Sequence, residues 1–133
     1  MYLYSELLRR AEAEKPVRVG LIGAGKFGSM FLSQVPTTPG LVVSYITDLH
    51  PDNAKAACRA TGWATEQVDA VHFTDDAEMM MRSGTVDVVV EATGNPVAGI
   101  YHAQMAISHG LHIVMVNVEA VSYTHLRAHE TVL

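Results

Sequence analysis

The chain has 133 residues and a formal net charge of −5; 49% of the residues are apolar and only 17% are charged. This composition excludes a disordered chain, this length limits the protein to one domain, and no apolar run approaches the roughly 18 residues of a membrane span. The acidic balance argues against a nucleic-acid partner, and the single cysteine, Cys58, excludes a disulfide framework and indicates a reducing, cytoplasmic location.

Strand-like and helix-like segments alternate along the chain. Apolar runs at 17–22, 41–47, 86–91 and 111–116 predict four strands, with a weaker candidate at 71–73. The intervening patterns predict a helix at 51–60, a second capped by Thr74 and ending at Gly84, and a third at about 97–109. An amphipathic helix at 2–14, with Leu3, Leu7 and Ala11 on one stripe, precedes the first strand and is expected to pack on the outside. This alternation predicts an α/β fold with a doubly wound parallel sheet of the Rossmann type.

A glycine-rich turn follows the first strand directly. Gly23, Gly25 and Gly28 form a G-x-G-x-x-G pattern between the strand and an apolar helical run. The first glycine permits a tight turn, the second lets the backbone approach a pyrophosphate, and the third lets the helix lie close to the strand. The helix start then offers backbone donors to phosphates. The alternative is a tight strand–helix turn without a ligand.

An acidic residue stands at the end of the second strand. Asp48 follows Gly28 by 20 positions, the spacing of a ribose-binding carboxylate. A carboxylate favours NAD because it repels a 2′-phosphate, yet Lys26 or His50 could meet that phosphate, so both NAD and NADP remain open. In the alternative interpretation, Asp48 only caps the helix that starts at Pro51.

A second turn, Glu91-Ala-Thr-Gly-Asn-Pro96, ends the third strong strand. That strand is expected beside the first, across the point where a nicotinamide would lie. Thr93 and Asn95 could offer hydrogen bonds there. The same residues are also ordinary turn formers, so the motif alone does not decide between the two interpretations.

Three motifs together resemble a known family. The runs VRVGLIGAGKFGSMFLSQ, VDVVVEATGNP and HIVMVNVEA resemble the nucleotide-binding domain of homoserine-dehydrogenase-like oxidoreductases, and within them the deoxyxylulose-phosphate-reductoisomerase-like group. The resemblance covers about residues 1–120. It implies a longer parent enzyme, with a catalytic and oligomerising portion after the Rossmann domain, that transfers a hydride between NAD or NADP and a small polar substrate, for example a phosphorylated compound or a hydroxy acid.

The resemblance also implies roles for particular residues. Four residues of the first turn would face the pyrophosphate, Asp48 the adenosine ribose, and three residues of the second turn the nicotinamide-side ribose. With Gly28, the predicted cofactor-binding residues are Gly23, Gly25, Lys26, Phe27, Gly28, Asp48, Ala92, Thr93 and Gly94. The sequence departs from homoserine dehydrogenases at Val118, where those enzymes have a lysine after the asparagine, and this departure argues against homoserine as the substrate.

The last 13 residues, 121–133, do not continue the family pattern. They resemble translated sequencing-adapter DNA, so we expect the natural sequence to stop at about Ala120 and these last residues to be an artefact. The predicted organisation is therefore an N-terminal helix at 1–15, a truncated Rossmann domain at 16–120 and a non-native tail. His125 and His129 in this tail are too few, and in the wrong order relative to Glu130, for a zinc site.

No spacing of carboxylates or nucleophiles predicts a catalytic residue, and Cys58 in its alanine-rich helix is expected to be packed rather than reactive. The histidines at 102, 109 and 112 are expected at a helix surface and turn. The leading hypothesis is the NAD(P)-binding half of an oxidoreductase, whose missing portion supplies the substrate pocket. The alternatives are a stand-alone nucleotide sensor without catalysis and, on the same glycine turn, a flavin or S-adenosylmethionine site.

Overall fold

A computed structural model describes residues 2–116 of the chain. The expected tail at 121–133, its two histidines and the departure at Val118 lie outside the described residues. Within the described part, no helix is both long and apolar enough to cross a membrane.

Within residues 2–116, five strands form one parallel sheet. They are β1 (Val17–Ile22), β2 (Leu41–Thr47), β3 (His72–Thr74), β4 (Val88–Glu91) and β5 (His112–Met115). The order across the sheet is β3-β2-β1-β4-β5, and each neighbouring pair is parallel. The predicted doubly wound α/β sheet is confirmed, including the position of β4 directly beside β1.

Six α-helices connect or precede these strands: α1 (Tyr2–Glu12), α2 (Lys26–Gln34), α3 (Pro51–Ala60), α4 (Thr65–Asp69), α5 (Ala77–Arg82) and α6 (Pro96–Ser108). A short 3₁₀ helix, Val35–Thr37, follows α2. The sequence analysis did not predict α4 or the 3₁₀ helix, since both are too short to show a periodic apolar pattern.

The cap of α5 is corrected by the structure. Asp76, not Thr74, is the N-cap residue, and its Oδ1 accepts a hydrogen bond from the Met79 N–H at 3.1 Å. Thr74 is still extended and pairs with Thr47 across the sheet. The helix therefore starts two residues later than a cap at Thr74 would place it.

β4 also starts later than predicted. Asp87 precedes it, and its carboxylate accepts hydrogen bonds from the Arg18 backbone N–H at 2.9 Å and from the Arg18 guanidinium at 3.0 Å. The guanidinium lowers the pKa of this carboxyl. The Asp87 N–H also donates to the Arg18 carbonyl at 2.7 Å, so both the side chain and the backbone of Asp87 are bound to β1 just before β4 begins.

The core lies on both faces of the sheet. On one face, Leu32 of α2 and Cys58 of α3 are fully buried, and the Trp63 indole N–H donates to the Leu32 carbonyl at 2.8 Å. On the other, Met80 of α5 and Ala106 of α6 are fully buried. Burial raises the pKa of Cys58 to about 11, so this residue is a packed thiol, as predicted.

α1 packs less than its amphipathic pattern predicts. It has no buried residue, and Leu3 and Ala11 of the predicted stripe are exposed. Leu7 is half-buried because its backbone lies against Gly40, where an added Cβ would be 1.9 Å from the Leu7 carbonyl oxygen.

Candidate functional site

A cleft of about 750 Å³ lies at the carboxyl ends of β1, β2 and β4. The strand order changes direction here, because the chain proceeds outward from β1 to β3 and then returns to the other side of β1 with β4. Doubly wound folds bind their ligands at such a switch point. The predicted site residues that line this cleft are Gly23, Gly25, Asp48, Ala92 and Thr93.

The start of α2 opens into this cleft at Gly25. Gly25 is the N-cap residue, no side chain caps the helix, and an added Cβ would meet nothing within 4 Å. The next two residues, Lys26 and Phe27, are exposed. The first backbone N–H groups of a helix have no partner within it, and they lie at the positive end of its dipole. This arrangement can hold an anion such as a phosphate.

The other two glycines of the motif make close backbone contacts. Gly23 has φ +92°, and a Cβ there would lie 2.9 Å from the carbonyl carbon and oxygen of Ala92. A Cβ on Gly28, which is buried in α2, would lie 2.0 Å from the Gly23 carbonyl oxygen. Gly28 therefore brings α2 close to the first turn, while Gly23 brings the first and second turns together.

Asp48 connects the glycine turn to the end of β2. Its Oδ2 accepts a hydrogen bond from the Ala24 N–H at 2.9 Å, and its Oδ1 accepts one from the His50 N–H at 2.8 Å. A carboxylate offers about four acceptor positions, so two remain for hydroxyl groups of a ligand. Asp48 is not the hydrogen-bonding cap of α3, because that helix has no side-chain cap bond.

The second turn is bound to itself. The Thr93 N–H and hydroxyl both donate to Oε1 of Glu91, at 2.8 and 2.6 Å. The Thr93 oxygen accepts the Asn95 N–H at 3.2 Å, and the Asn95 side chain caps α6 by accepting the Ala98 N–H at 3.0 Å. Thr93 thus lines the cleft, but its hydrogen-bond donors are already used within the turn. Gly94 is exposed with φ +72° and does not line the cleft.

Glu91 and His102 form a pair that the sequence analysis missed. Glu91 is 0% exposed, and its Oε2 is hydrogen-bonded to Nδ1 of His102, whose side chain is 14% exposed. Burial opposes ionisation of Glu91, but hydrogen bonds from His102 and Thr93 outweigh it, so the pKa of this carboxyl is lowered.

The expectation that His102 lies at a helix surface is therefore wrong. The buried small residues Gly99 and Ala106 mark the inner face of α6. His102 is three residues after the first and four before the second, so it shares their face. This spacing is the sequence signal that could have identified it.

Within residues 2–116, no three His, Cys, Asp or Glu side chains gather where they could hold a metal ion.

Comparison with known proteins identifies a family match over most of the described chain. Residues 17–116 match the model of the oxidoreductase family with an NAD-binding Rossmann fold, GFO_IDH_MocA. Over 99 residues the chain is 32% identical to a glycosyl hydrolase family 109 protein of Saccharopolyspora erythraea, a match that covers 73% of this chain and 21% of that protein.

Solved structures share the fold. The myo-inositol dehydrogenase of Lactobacillus casei, in complex with NAD(H) and myo-inositol, has a TM-score of 0.64 at 21% identity and covers 75% of this chain and 28% of its own. A homoserine dehydrogenase of Thiobacillus denitrificans has a TM-score of 0.66 at 24% identity, covering 82% of this chain and 25% of its own. The WlbA dehydrogenase of Bordetella pertussis, in complex with NADH and UDP-GlcNAcA, has a TM-score of 0.59 at 22% identity and covers 75% and 29%.

These matches refine the resemblance inferred from the sequence. They support an oxidoreductase Rossmann domain, and a homoserine dehydrogenase is among the similar structures. The matched family is a different one, however, and none of these proteins supports the narrower deoxyxylulose-phosphate-reductoisomerase-like group. The chain spans between a fifth and a third of the length of each of these relatives.

Proposed function

This chain belongs to the GFO_IDH_MocA oxidoreductase family with an NAD-binding Rossmann fold, and from that premise we propose that its cleft holds the dinucleotide for a longer parent dehydrogenase. The observation that carries the proposal is the start of α2. It is uncapped by any side chain, and the space beside Gly25 is open, with no atom within 4 Å of the place that a Cβ would take.

The residues around the cleft fit a dinucleotide. Backbone N–H groups at Gly25, Lys26 and Phe27 would hold the pyrophosphate, while Gly28 supports the helix from inside. Asp48 would accept hydrogen bonds from the adenosine ribose with its two remaining acceptor positions.

The second turn would meet the nicotinamide side. Because the Thr93 donors are bound to Glu91, the turn would contribute its shape and backbone rather than the Thr93 hydroxyl. Ala92, which lines the cleft and has a small side chain, leaves room for the ligand. When bound, the nicotinamide supplies the hydride acceptor or donor of the reaction.

We extend the proposal to the parent protein. Residues 16–120 would be its cofactor domain, and a further portion would supply the substrate pocket and the oligomer contacts. The solved relatives bound to myo-inositol and UDP-GlcNAcA favour a polar substrate with several hydroxyl groups. The proposed reaction is hydride transfer between one such carbon and the nicotinamide.

Calorimetric titration of the 133-residue chain with NADH and NADPH tests the cofactor proposal. We expect NADH to bind more tightly, since Asp48 repels a 2′-phosphate. Gly25→Val should weaken binding by at least about tenfold, because hydrogen bonds to a charged phosphate are lost. Ser33→Val, on the exposed far end of α2, is the matched control and should bind like the wild type.

Circular dichroism must show that each variant is folded. A folded wild-type chain that bound neither dinucleotide would contradict the proposal. Tighter binding of NADPH than of NADH would contradict only the role given to Asp48.

A further inference from the structure

A fully buried carboxylate lies directly under the cleft. Glu91 is the last residue of β4, pairs in register with Ile22 at the end of β1, and is 0% exposed. A buried carboxylate is costly unless hydrogen bonds satisfy its oxygens. Its donors are two groups of Thr93 and the ring of His102.

This contact sets the orientation of the His102 ring. Because an ionised carboxylate only accepts hydrogen bonds, Nδ1 must carry the proton that it donates to Glu91. In the neutral ring, Nε2 is then a hydrogen-bond acceptor. The carboxylate of Glu91 thus determines which tautomer the His102 ring adopts. Carboxylates orient metal-ligating histidines in other proteins through the same kind of hydrogen bond.

The remaining ring nitrogen is available to a ligand. His102 lines the 750 Å³ cleft, and among residues 2–116 its Nε2 has no hydrogen-bond partner. His102 lies on α6, which follows β4, so it is on the opposite side of the glycine turn from Asp48 and β2. In a doubly wound fold that side of the switch point faces the nicotinamide half of a dinucleotide.

We propose that His102 is a ligand-binding residue of this cleft, whose Nε2 accepts a hydrogen bond from a hydroxyl or amide group on the nicotinamide half of the dinucleotide. Glu91 is its positioning residue, since it acts only through the ring. The inference rests on the proposed function and adds to it a contact from a helix that the glycine motif does not include.

Two variants separate the roles of the two ring nitrogens. His102→Asn keeps an amide donor near the position of Nδ1 for Glu91 but has no group at the position of Nε2. Glu91→Gln keeps the shape of the carboxylate and removes its preference for one tautomer. His109→Asn, at the exposed end of α6, is the matched control.

Calorimetry of the 133-residue chain with NAD⁺ and with ADP is the measurement. We expect His102→Asn and Glu91→Gln each to weaken NAD⁺ binding about fivefold, the loss of one neutral hydrogen bond. Binding of ADP, which lacks the nicotinamide half, should not change, and His109→Asn should change neither. Equal NAD⁺ affinity in His102→Asn and the wild type would overturn the inference.

The tautomer has a readout of its own. Nitrogen-15 NMR of the free chain at pH 8 should show His102 protonated at Nδ1 and unprotonated at Nε2, and Glu91→Gln should lose this preference. A wild-type ring protonated at Nε2 would overturn the inference. If the wild type bound neither ADP nor NAD⁺, the proposed function would be overturned instead, and with it the ligand assigned to His102.

Discussion

The two turns that meet at the cleft satisfy their backbone groups in different ways. The first, residues 23–28, presents an uncapped helix start to the cleft; Gly23 and Gly28 lie against backbone atoms, while Gly25 has open space beside it. The second, residues 91–96, closes a network in which Glu91, Thr93 and Asn95 bind one another and cap α6.

Because of this difference, the two turns are suited to different tasks. At the start of α2 the first turn leaves the N–H groups of Gly25, Lys26 and Phe27 available, so it is suited to bind an external anion. In the second turn the donors of Thr93 and the Asn95 N–H are used within the turn, so it is suited to form a fixed wall of the cleft and to orient His102. Substitutions in the two turns test whether the stability of the first depends on the absence of side chains near its backbone and that of the second on its hydrogen bonds.

The largest effect is expected at Gly28. A Cβ there would lie 2.0 Å from the Gly23 carbonyl oxygen, and backbone on both sides cannot move without separating α2 from β1. We expect Gly28→Ala to lower the free energy of unfolding by about 3 kcal/mol, measured by urea denaturation. Gly25→Ala, which meets nothing within 4 Å, is the control and should cost no more than about 1 kcal/mol, the preference for glycine over alanine at an N-cap position. If both variants lost the same free energy of unfolding, the close backbone contact of Gly28 would not account for its effect.

A smaller effect is expected at Thr93. Thr93→Val keeps the shape of the side chain but removes the hydroxyl that donates to Glu91 and accepts from Asn95. One oxygen of a buried carboxylate loses a donor, so we expect a loss of about 2 kcal/mol in unfolding free energy. Thr37→Val, at an exposed threonine of the 3₁₀ helix, should cost under about 0.5 kcal/mol. If Thr93→Val left the free energy of unfolding unchanged, the network would not stabilise the second turn.

The same contrast explains what could be predicted from the sequence. The bounds of β1 and β2 and the close backbone approach at Gly23 and Gly28 depend on local patterns, namely apolar runs and missing side chains, and these are visible in the sequence. The spacing of His102 from Gly99 and Ala106 indicates that it lies on the inner face of α6, but its pairing with Glu91 depends on how α6 packs against β4, which local spacing does not encode. The cap at Asp76 was missed for a similar reason, since pairing with β2 keeps Thr74 extended.

The charge of Glu91 makes the second turn sensitive to acid. Its pKa is lowered in the folded state from an ordinary value of 4.5, so the ionised group stabilises the fold above that value. The contribution is lost as the pH falls through the folded-state pKa. We therefore expect the difference in unfolding free energy between the wild type and Glu91→Gln to shrink between pH 7 and pH 3.

Asp87, whose pKa is also lowered, is present in both proteins, so its contribution cancels in that difference. Glu78→Gln, which removes an exposed carboxylate on α5, is the matched control and should track the wild type across the range. A Glu91→Gln difference that stayed constant with pH would show that the carboxylate acts through its shape alone.

The smallest effect is expected at Gly94, the one glycine of the second turn. Its φ of +72° is in the left-handed region, but an added Cβ would meet nothing within 4 Å. Gly94→Ala should therefore cost only the backbone strain, about 1 kcal/mol, and Gly94→Asn less, because asparagine tolerates this conformation. Urea denaturation of both variants measures the two losses. If Gly94→Asn cost as much as Gly94→Ala, the loss would come from crowding rather than from backbone strain, and the second turn would depend on space as the first does.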